Sequence, residues 1–141
     1  MMMVGLLIVP ETPMLLAALV FIGAGIGGVV RYAIGVQASR LFSFDFPWAT
    51  MAINILGSFL MGVIAAWFVL RPGPGGTQEL RLFLTTGVLG GFTTFSTFSL
   101  DAIYLWERGA PMAAALYVGG SLVLGLAGLA GGLALVRALA G

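Results

Sequence analysis

Aromatic and hydroxyl side chains alternate in one short stretch of the sequence, and its chemistry is concentrated there. Phe92, Phe95 and Phe98 recur at every third position, which keeps them near one face of a helix. Hydroxyl residues stand between them: Thr93, Thr94, Ser96 and Thr97. Because the edge of an aromatic ring is electropositive, a column of ring edges and O–H donors can stabilise a small anion without a formal positive charge. Ordinary core packing is the alternative interpretation of the phenylalanine stripe.

The helix that carries these residues is expected to break. Ten of the 19 residues from Leu82 to Leu100 are Gly, Ser or Thr, a composition from which a lipid-facing helix gains nothing. Gly90-Gly91 is a natural break point, and the threonines that follow lower the helix propensity. A broken helix at membrane depth is tolerated only where it is buried in protein or lines a cavity. Its free carbonyl groups suit a bare cation, and its free N–H groups suit an anion.

Four further polar side chains are candidates for the same site. Asn54, the only asparagine, offers two N–H donors to an anion, although a hydrogen bond between helices explains it equally well. Tyr117 and Ser121 are four residues apart and would place two O–H donors on one helix face. Arg31 could attract anions into a vestibule, or its side chain could snorkel to water as an interfacial anchor.

The composition places these side chains in a membrane. Hydrophobic residues make up 60% of the 141-residue sequence and charged residues only 8%, too few to cover a water-facing globule. The sequence contains no Cys and no His, which excludes thiol and imidazole catalysis and zinc sites built from those residues. Its net charge of +1 is far from the basic surface that nucleic acid requires. We therefore expect neither an enzyme nor a nucleic-acid-binding protein.

The ionisable residues leave four uncharged stretches, each long enough for a helix that crosses the membrane. They are 12–30, 46–70, 82–100 and 109–136, of 19, 25, 19 and 28 residues. They predict an all-α integral membrane protein with one domain over residues 1–141 and spans at about 14–39, 47–70, 79–105 and 111–139. Residues 1–10 have no basic n-region, so we expect an interfacial lead-in rather than a signal peptide; Met14 is an alternative start.

Pairs of glycines four residues apart occur in three of the predicted spans. The pairs are Gly23 with Gly27, Gly87 with Gly91, and Gly128 with Gly132. Small residues at this spacing let helix backbones approach closely in lipid, so the pattern predicts tight helix packing and says little about function.

Arginine is distributed evenly between the two sides that four spans would define. One side would hold Arg71, Arg81 and Arg137, and the other Arg31, Arg40 and Arg108. The positive-inside rule needs an imbalance and therefore selects no orientation here. Four spans are also too few to enclose a pore alone. The sequence thus favours dual topology and an antiparallel homodimer, whereas chance equality or one dominant arginine is the alternative.

Three segments of the sequence resemble, in order, the motifs of the Fluc, or CrcB-type, fluoride channel family. They are GGVVRY (Gly27–Tyr32), NILGSFLMG (Asn54–Gly62) and GGFTTFSTFS (Gly90–Ser99). The last motif is highly specific, and the resemblance extends from Ile22 to the C-terminus. It implies a fluoride channel in the inner (plasma) membrane, formed by a dual-topology homodimer whose two antiparallel pores expel fluoride from the cytoplasm.

The resemblance also implies roles for individual residues along the ion path. Phe95 and Phe98 would line the path with their ring edges, and Asn54 would orient them and donate to the ion. The remaining members of the path would be Ser96, Thr97, Tyr117 and Ser121.

A structural sodium ion is implied at the centre of the dimer. Backbone carbonyls of Gly90 and Thr93 from both subunits would bind it. Two positions depart from the family pattern. Gly125, the next position of the polar track, lacks the hydroxyl of some members, and Asp101 stands where a Glu is expected.

A small multidrug-type, proton-coupled antiporter is the alternative, since it shares four spans and antiparallel dimers. Such a carrier needs a carboxylate within the membrane, and none of the five acidic residues lies inside an uncharged stretch. A non-transporting assembly subunit would explain the glycines but not Asn54 together with the aromatic and hydroxyl column. The fluoride channel is therefore our leading hypothesis.

Overall fold

The computed structural model describes residues 13–42, 45–70 and 77–141, and every regular element within those residues is helical. Its helices are α1 (Pro13–Leu41), α2 (Trp48–Leu70), α3 (Gln78–Leu82), α4 (Gly90–Phe92), α5 (Phe95–Glu107) and α6 (Pro111–Ala140). A π-helical segment, Phe83–Leu89, joins α3 to α4. The expected lead-in at residues 1–10 lies outside the described residues.

Three of the helices are long and apolar enough to cross a membrane. These are α1 with 29 residues, α2 with 23 and α6 with 30, and they follow the expected spans closely. At a rise of about 1.5 Å per residue, each exceeds the hydrocarbon thickness of about 30 Å. The protein is therefore a multi-pass membrane protein. The region from Gln78 to Glu107, where the third span is expected, consists of shorter helical pieces.

Local sequence explains where several of these helices begin. The Thr77 hydroxyl accepts a hydrogen bond from the Leu80 N–H at 3.3 Å and so caps α3. Helix α6 begins at Pro111, whose missing N–H is of no consequence in a first turn. Gly109, with a φ of 79°, makes the turn from α5 into α6 in a conformation that a larger residue resists.

Glycines set the closest approaches between helices. Helix α1 packs against the π-helical segment, where a Cβ on Gly23 would lie 2.8 Å from the Phe83 carbonyl oxygen and 2.9 Å from the Gly87 Cα. Helix α2 packs along α6, where a Cβ on Gly132 would overlap the carbonyl oxygen of Phe59. The glycine pairs in the sequence therefore serve backbone contact between helices, as van der Waals packing in lipid requires.

Within the described part of the chain, the buried core is small and divided into two clusters. One contains Ile53, Leu89 and Phe92, and the other contains Leu105, Ala114 and Tyr117. Many large apolar side chains lie instead on the outer surface, as on α1, where Phe21 is 80% exposed. Such a surface is suited to contact with lipid rather than water.

Candidate functional site

The helical path is interrupted at Thr93 and Thr94, between α4 and α5. Thr93 has φ and ψ of −82° and 159°, and Thr94 has −151° and 116°, so both are extended. Gly90 and Gly91, the break point expected from the sequence, are themselves helical. A Cβ on Gly91 would overlap the Ala24 carbonyl oxygen, so this glycine lets α1 approach rather than ending a helix. The interruption falls instead on β-branched residues, which favour extended backbone.

Asn54 of α2 holds the interruption through two hydrogen bonds. Its Nδ2 donates to the Thr94 carbonyl oxygen at 3.0 Å, and its Oδ1 accepts from the Thr94 N–H at 2.9 Å. The side-chain amide thereby supplies the acceptor that the buried Thr94 N–H would otherwise have found in a continuous helix, and it adds a donor to the Thr94 carbonyl. Asn54 was interpreted either as a donor to an anion or as a partner in a hydrogen bond between helices. The structure shows the second, a hydrogen-bonded pair that joins α2 to the segment between α4 and α5. One of the two Nδ2 hydrogens is used in it, and the second is left for another acceptor.

The side chain of Thr94 organises the start of α5. This residue is only 9% exposed, and its hydroxyl accepts from the Thr97 N–H at 3.2 Å as an N-cap. The same hydroxyl donates to the Thr97 Oγ1 at 3.0 Å and lies 3.3 Å from the Ser96 Oγ. Thr94 was not among the predicted site residues. A threonine directly before a helix is typical of an N-cap, and Thr94 directly precedes the helix Phe95–Glu107. That position was the signal by which it could have been found.

Two backbone carbonyls at the interruption lose the partners that a continuous helix would give them. The carbonyl of Gly90 would accept from the Thr94 N–H, which donates to Asn54 instead. The carbonyl of Thr93 would accept from the Thr97 N–H, which donates to the Thr94 hydroxyl instead. These are the two carbonyls proposed for sodium, and both have lone pairs available for a hard cation.

A groove beside the interruption brings several predicted residues together. It has a volume of about 510 Å³, and its lining includes Asn54, Phe95, Phe98 and Ser121. The rings of the two phenylalanines lie 5.7 Å apart between centroids. The Ser121 Oγ is buried and, within the described part of the chain, has no hydrogen-bond partner. The groove thus combines aromatic rings, an amide and a free hydroxyl with further hydroxyl-bearing and apolar residues.

Phe95 and Phe98 occupy different environments in this groove. Phe95 is 80% exposed, so that it forms the open side, whereas Phe98 is half-buried. The Phe98 ring packs on the Tyr117 ring with centroids 5.2 Å apart. Tyr117 is completely buried, and its hydroxyl donates to the Asp101 Oδ2 at 3.2 Å. Tyr117 therefore lies behind the groove rather than on its surface.

A second cavity, of about 320 Å³, lies next to the α1–α2 connection. Asp101 is one of its lining residues, together with Phe46, Asp45 and Arg108. The Phe46 ring meets the Tyr117 ring edge-on at 5.6 Å between centroids. Tyr117 thus contacts a residue of each cavity, Phe98 in the groove and Phe46 in the second cavity.

Some predicted residues lie outside the groove, and some lining residues were not predicted. Ser96 and Thr97 lie in the first turn of α5, contact the N-cap hydroxyl of Thr94 and do not line the groove, and half-buried Arg31 lines neither cavity. Ser58 and Met61, not singled out from the sequence, line the groove beside Asn54. Ser58 follows Asn54 by four residues, so helical spacing was the available signal.

These features define a multi-pass membrane protein with a small, uncharged polar groove beside an interrupted helix. Residues 18–133 match the model of the CrcB-like protein, Camphor Resistance (CrcB) family. The chain belongs to this CrcB family, and the resemblance drawn from its three motifs is confirmed.

Named relatives support the same assignment. A "Fluoride-specific ion channel FluC" of Methylobacterium sp. (strain 4-46) is 57% identical over 124 residues, which cover 88% of this chain and 98% of that protein. Proteins of the same name from Rhodopseudomonas palustris (strain BisB5) and Agrobacterium fabrum (strain C58 / ATCC 33970) are each 52% identical, over 86% of this chain and 96% of theirs. The antiporter alternative finds no support among these relatives.

Replacement of Asn54 by alanine should destabilise the fold, because it leaves the buried Thr94 N–H without an acceptor and removes one of the donors to the Thr94 carbonyl oxygen. We expect the free energy of unfolding to fall by about 1–3 kcal/mol, which is the cost of one buried polar group left unsatisfied. Reversible denaturation in detergent measures this change. Hydrogen exchange should also accelerate at the Thr94 amide.

Gln37→Ala is the matched control, because it removes an exposed side-chain amide whose only described contact is a 3.4 Å hydrogen bond from Arg40. We expect that variant to stay within about 0.5 kcal/mol of the unaltered protein. Equal stability of the Asn54 and Gln37 variants would contradict the role assigned to the Asn54 amide.

Proposed function

We propose that the protein is a channel that conducts fluoride passively across the plasma membrane and exports it from the cytoplasm. The observation that carries the proposal is the groove, in which Asn54, Phe95, Phe98 and Ser121 meet. Membership of the CrcB family and the names of the relatives support fluoride as the ion. The protein would then move an ion without transforming it and would not be an enzyme.

The groove offers what a dehydrated anion needs. Conduction requires binding that is favourable enough for entry and weak enough for release. Among the residues that the structure describes, those that line the groove carry no ionised side chain, so no fixed cation from them would trap fluoride there. Partial positive charge comes from the free Nδ2 hydrogen of Asn54, the unpartnered Ser121 hydroxyl and the ring edges of Phe95 and Phe98.

Two antiparallel copies of the chain would complete the pores. A groove with an 80% exposed Phe95 on its open side needs another surface to exclude lipid from the ion path. The even distribution of arginine supports insertion in both orientations, with Gln78–Glu107 as a third span broken mid-membrane. A pore would form on each side of such a dimer interface. Arg31 would then act at a vestibule, outside the groove itself.

A structural sodium ion at the dimer centre forms part of the proposal. The carbonyl groups of Gly90 and Thr93 lack helical partners, and Gly90 is exposed in the single chain. Carbonyl oxygens suit a hard, non-redox cation without any carboxylate or imidazole. Bound there, sodium would neutralise the partial negative charge of these carbonyls and join the two subunits.

Fluoride efflux from liposomes tests the proposed path. The purified protein should release fluoride far faster than chloride, as measured with ion-selective electrodes. Phe95→Ile and Phe98→Ile should each lower fluoride efflux by about tenfold or more, the equivalent of about 1.4 kcal/mol in the transport barrier, because an aliphatic side chain has no electropositive edge.

Phe21→Ile provides the control for the aromatic change, because Phe21 is as exposed as Phe95 but lies on α1, outside the groove. Its efflux should match that of the unaltered protein. Unimpaired fluoride efflux in both the Phe95 and Phe98 variants would refute the proposed path.

Dual topology is tested by labelling a single cysteine. The sequence has no cysteine, so Gly141→Cys creates one target at the C-terminus. A membrane-impermeant maleimide added outside should label about half of the molecules if both orientations occur in equal number. In this background, Ala110→Arg and Thr77→Arg should shift the labelled fraction in opposite directions. A single orientation in the Gly141→Cys protein would exclude the antiparallel dimer.

The sodium site is tested by thermal unfolding in detergent while sodium replaces N-methylglucamine at constant ionic strength. A site that exists only in the folded protein should raise Tm by several degrees as it fills. Thr93→Val should keep this response, because it leaves the carbonyl in place and removes only a hydroxyl that donates to the Leu89 carbonyl oxygen at 2.9 Å. A Tm independent of sodium would contradict the proposal.

A further inference from the structure

We propose that Ser58 is a further hydrogen-bond donor of the ion path. It would donate to the ion at the height along α6 where Gly125 has no side chain to do so. The inference rests on the proposed function, because it assigns a step of the same path. Ser58 lies one helical turn after Asn54 on α2 and lines the groove. It takes no part in the hydrogen bonds between the Asn54 side chain and Thr94.

The two walls of the groove complement each other at this level. On α6, Ser121 presents a buried and unpartnered hydroxyl, and the residue one turn further along, Gly125, has no side chain. A Cβ built on Gly125 would lie 3.6 Å from the Ser58 Oγ, an ordinary van der Waals distance. The Ser58 Oγ therefore lies beside the position that a side chain at residue 125 of α6 would occupy. An ion that moves past Ser121 would meet its next hydroxyl on the opposite wall.

The resting hydrogen bond of Ser58 makes it a reversible donor. Its hydroxyl donates to the Asn54 carbonyl oxygen at 2.8 Å, an intrahelical bond between neutral groups. Hydrogen bonds to an ionised acceptor are about twice as strong as neutral ones, so a passing fluoride can draw this hydrogen away by rotation about the Cβ–Oγ bond. The carbonyl recovers the hydrogen when the ion leaves. Such exchange aids both entry and release, as conduction requires.

Fluoride efflux from liposomes, with a rescue across the groove, tests this role. Ser58→Ala should lower efflux about tenfold, as expected for the loss of one hydrogen bond to a charged partner. Adding Gly125→Ser to Ser58→Ala should restore efflux to within about threefold of the unaltered protein, because a hydroxyl returns to the same space from the other helix. Ser58→Ala with Gly125→Ala should stay low, since it restores volume without a donor.

Two further variants distinguish the loss of the Ser58 donor from a loss of helix stability. Ser99→Ala removes a similar intrahelical bond, from the Ser99 hydroxyl to the Phe95 carbonyl oxygen at 2.9 Å, at a residue that lines neither cavity. It should leave efflux unchanged. Ser58→Cys nearly preserves volume and offers only a weak S–H donor, so it should reduce efflux even if Ser58→Ala fails to fold.

The outcomes distinguish this inference from the proposed function. If Phe95→Ile abolishes efflux while Ser58→Ala and Ser58→Cys leave it unchanged, the role of Ser58 is overturned and the channel assignment stands. Equal recovery with Gly125→Ser and Gly125→Ala would also overturn it, because packing would then explain the effect. No efflux from the unaltered protein would overturn both.

Discussion

The paired hydrogen bonds between the Asn54 amide and the Thr94 backbone hold the site together. They let two residues leave the helical path inside an apolar protein, where an unpaired N–H or carbonyl is costly. Because the Thr94 N–H is committed to Asn54, the Gly90 carbonyl loses its helical partner, and α5 begins again at Phe95. The direction in which α5 leaves this point decides which way Phe95 and Phe98 face. The groove and the free Gly90 carbonyl therefore depend on one side chain on α2, whereas the Thr93 carbonyl is left free by the Thr94 hydroxyl, which takes the Thr97 N–H.

The rest of the fold keeps this interruption in place by close packing rather than by a large core. The two buried clusters are small, and lipid can solvate most of the remaining apolar surface. Helix α1 meets Gly87 and Gly91 through its own small residues, and α2 meets α6 through Gly132. Contacts between backbones leave little freedom for sliding, because one added methyl group would overlap a main-chain atom. That rigidity fixes Asn54 on α2 relative to Thr94 and Ser121.

Much of this arrangement could be predicted from the sequence, because membrane helices follow hydropathy and because Asn54 was the only asparagine. Hydropathy indicates the bounds of the long helices. The single asparagine indicates a site, which the structure forms in one groove with Phe95, Phe98 and Ser121. The point where the helix is interrupted depends on a contact between residues that are distant in sequence, Asn54 and Thr94. Local helix propensity does not register that contact, so the prediction of a break at Gly90-Gly91 was wrong, and the break lies at Thr93-Thr94. Ser58 was missed for a similar reason. The role proposed for it depends on the absence of a side chain at Gly125, on a different helix, whereas its spacing from Asn54 indicates only a shared face of α2.

The hydroxyl groups around the groove differ in what they do when no ion is present. The Thr94 hydroxyl bonds to Thr97, the Ser58 hydroxyl to the Asn54 carbonyl, and the Tyr117 hydroxyl to Asp101, whereas that of Ser121 has no partner among the described residues. A wall of unpartnered donors would bind fluoride tightly and hold it, because every donor would gain a full charge-assisted bond. The Thr94 and Ser58 hydroxyls already have a neutral acceptor, so they gain only the difference between two bonds, and that acceptor competes for the hydrogen as the ion departs. Under the proposed function, the balance between the free Ser121 hydroxyl and the hydroxyls that already have an acceptor would set how long the ion stays at each point. No fixed cation among the described lining residues would be required.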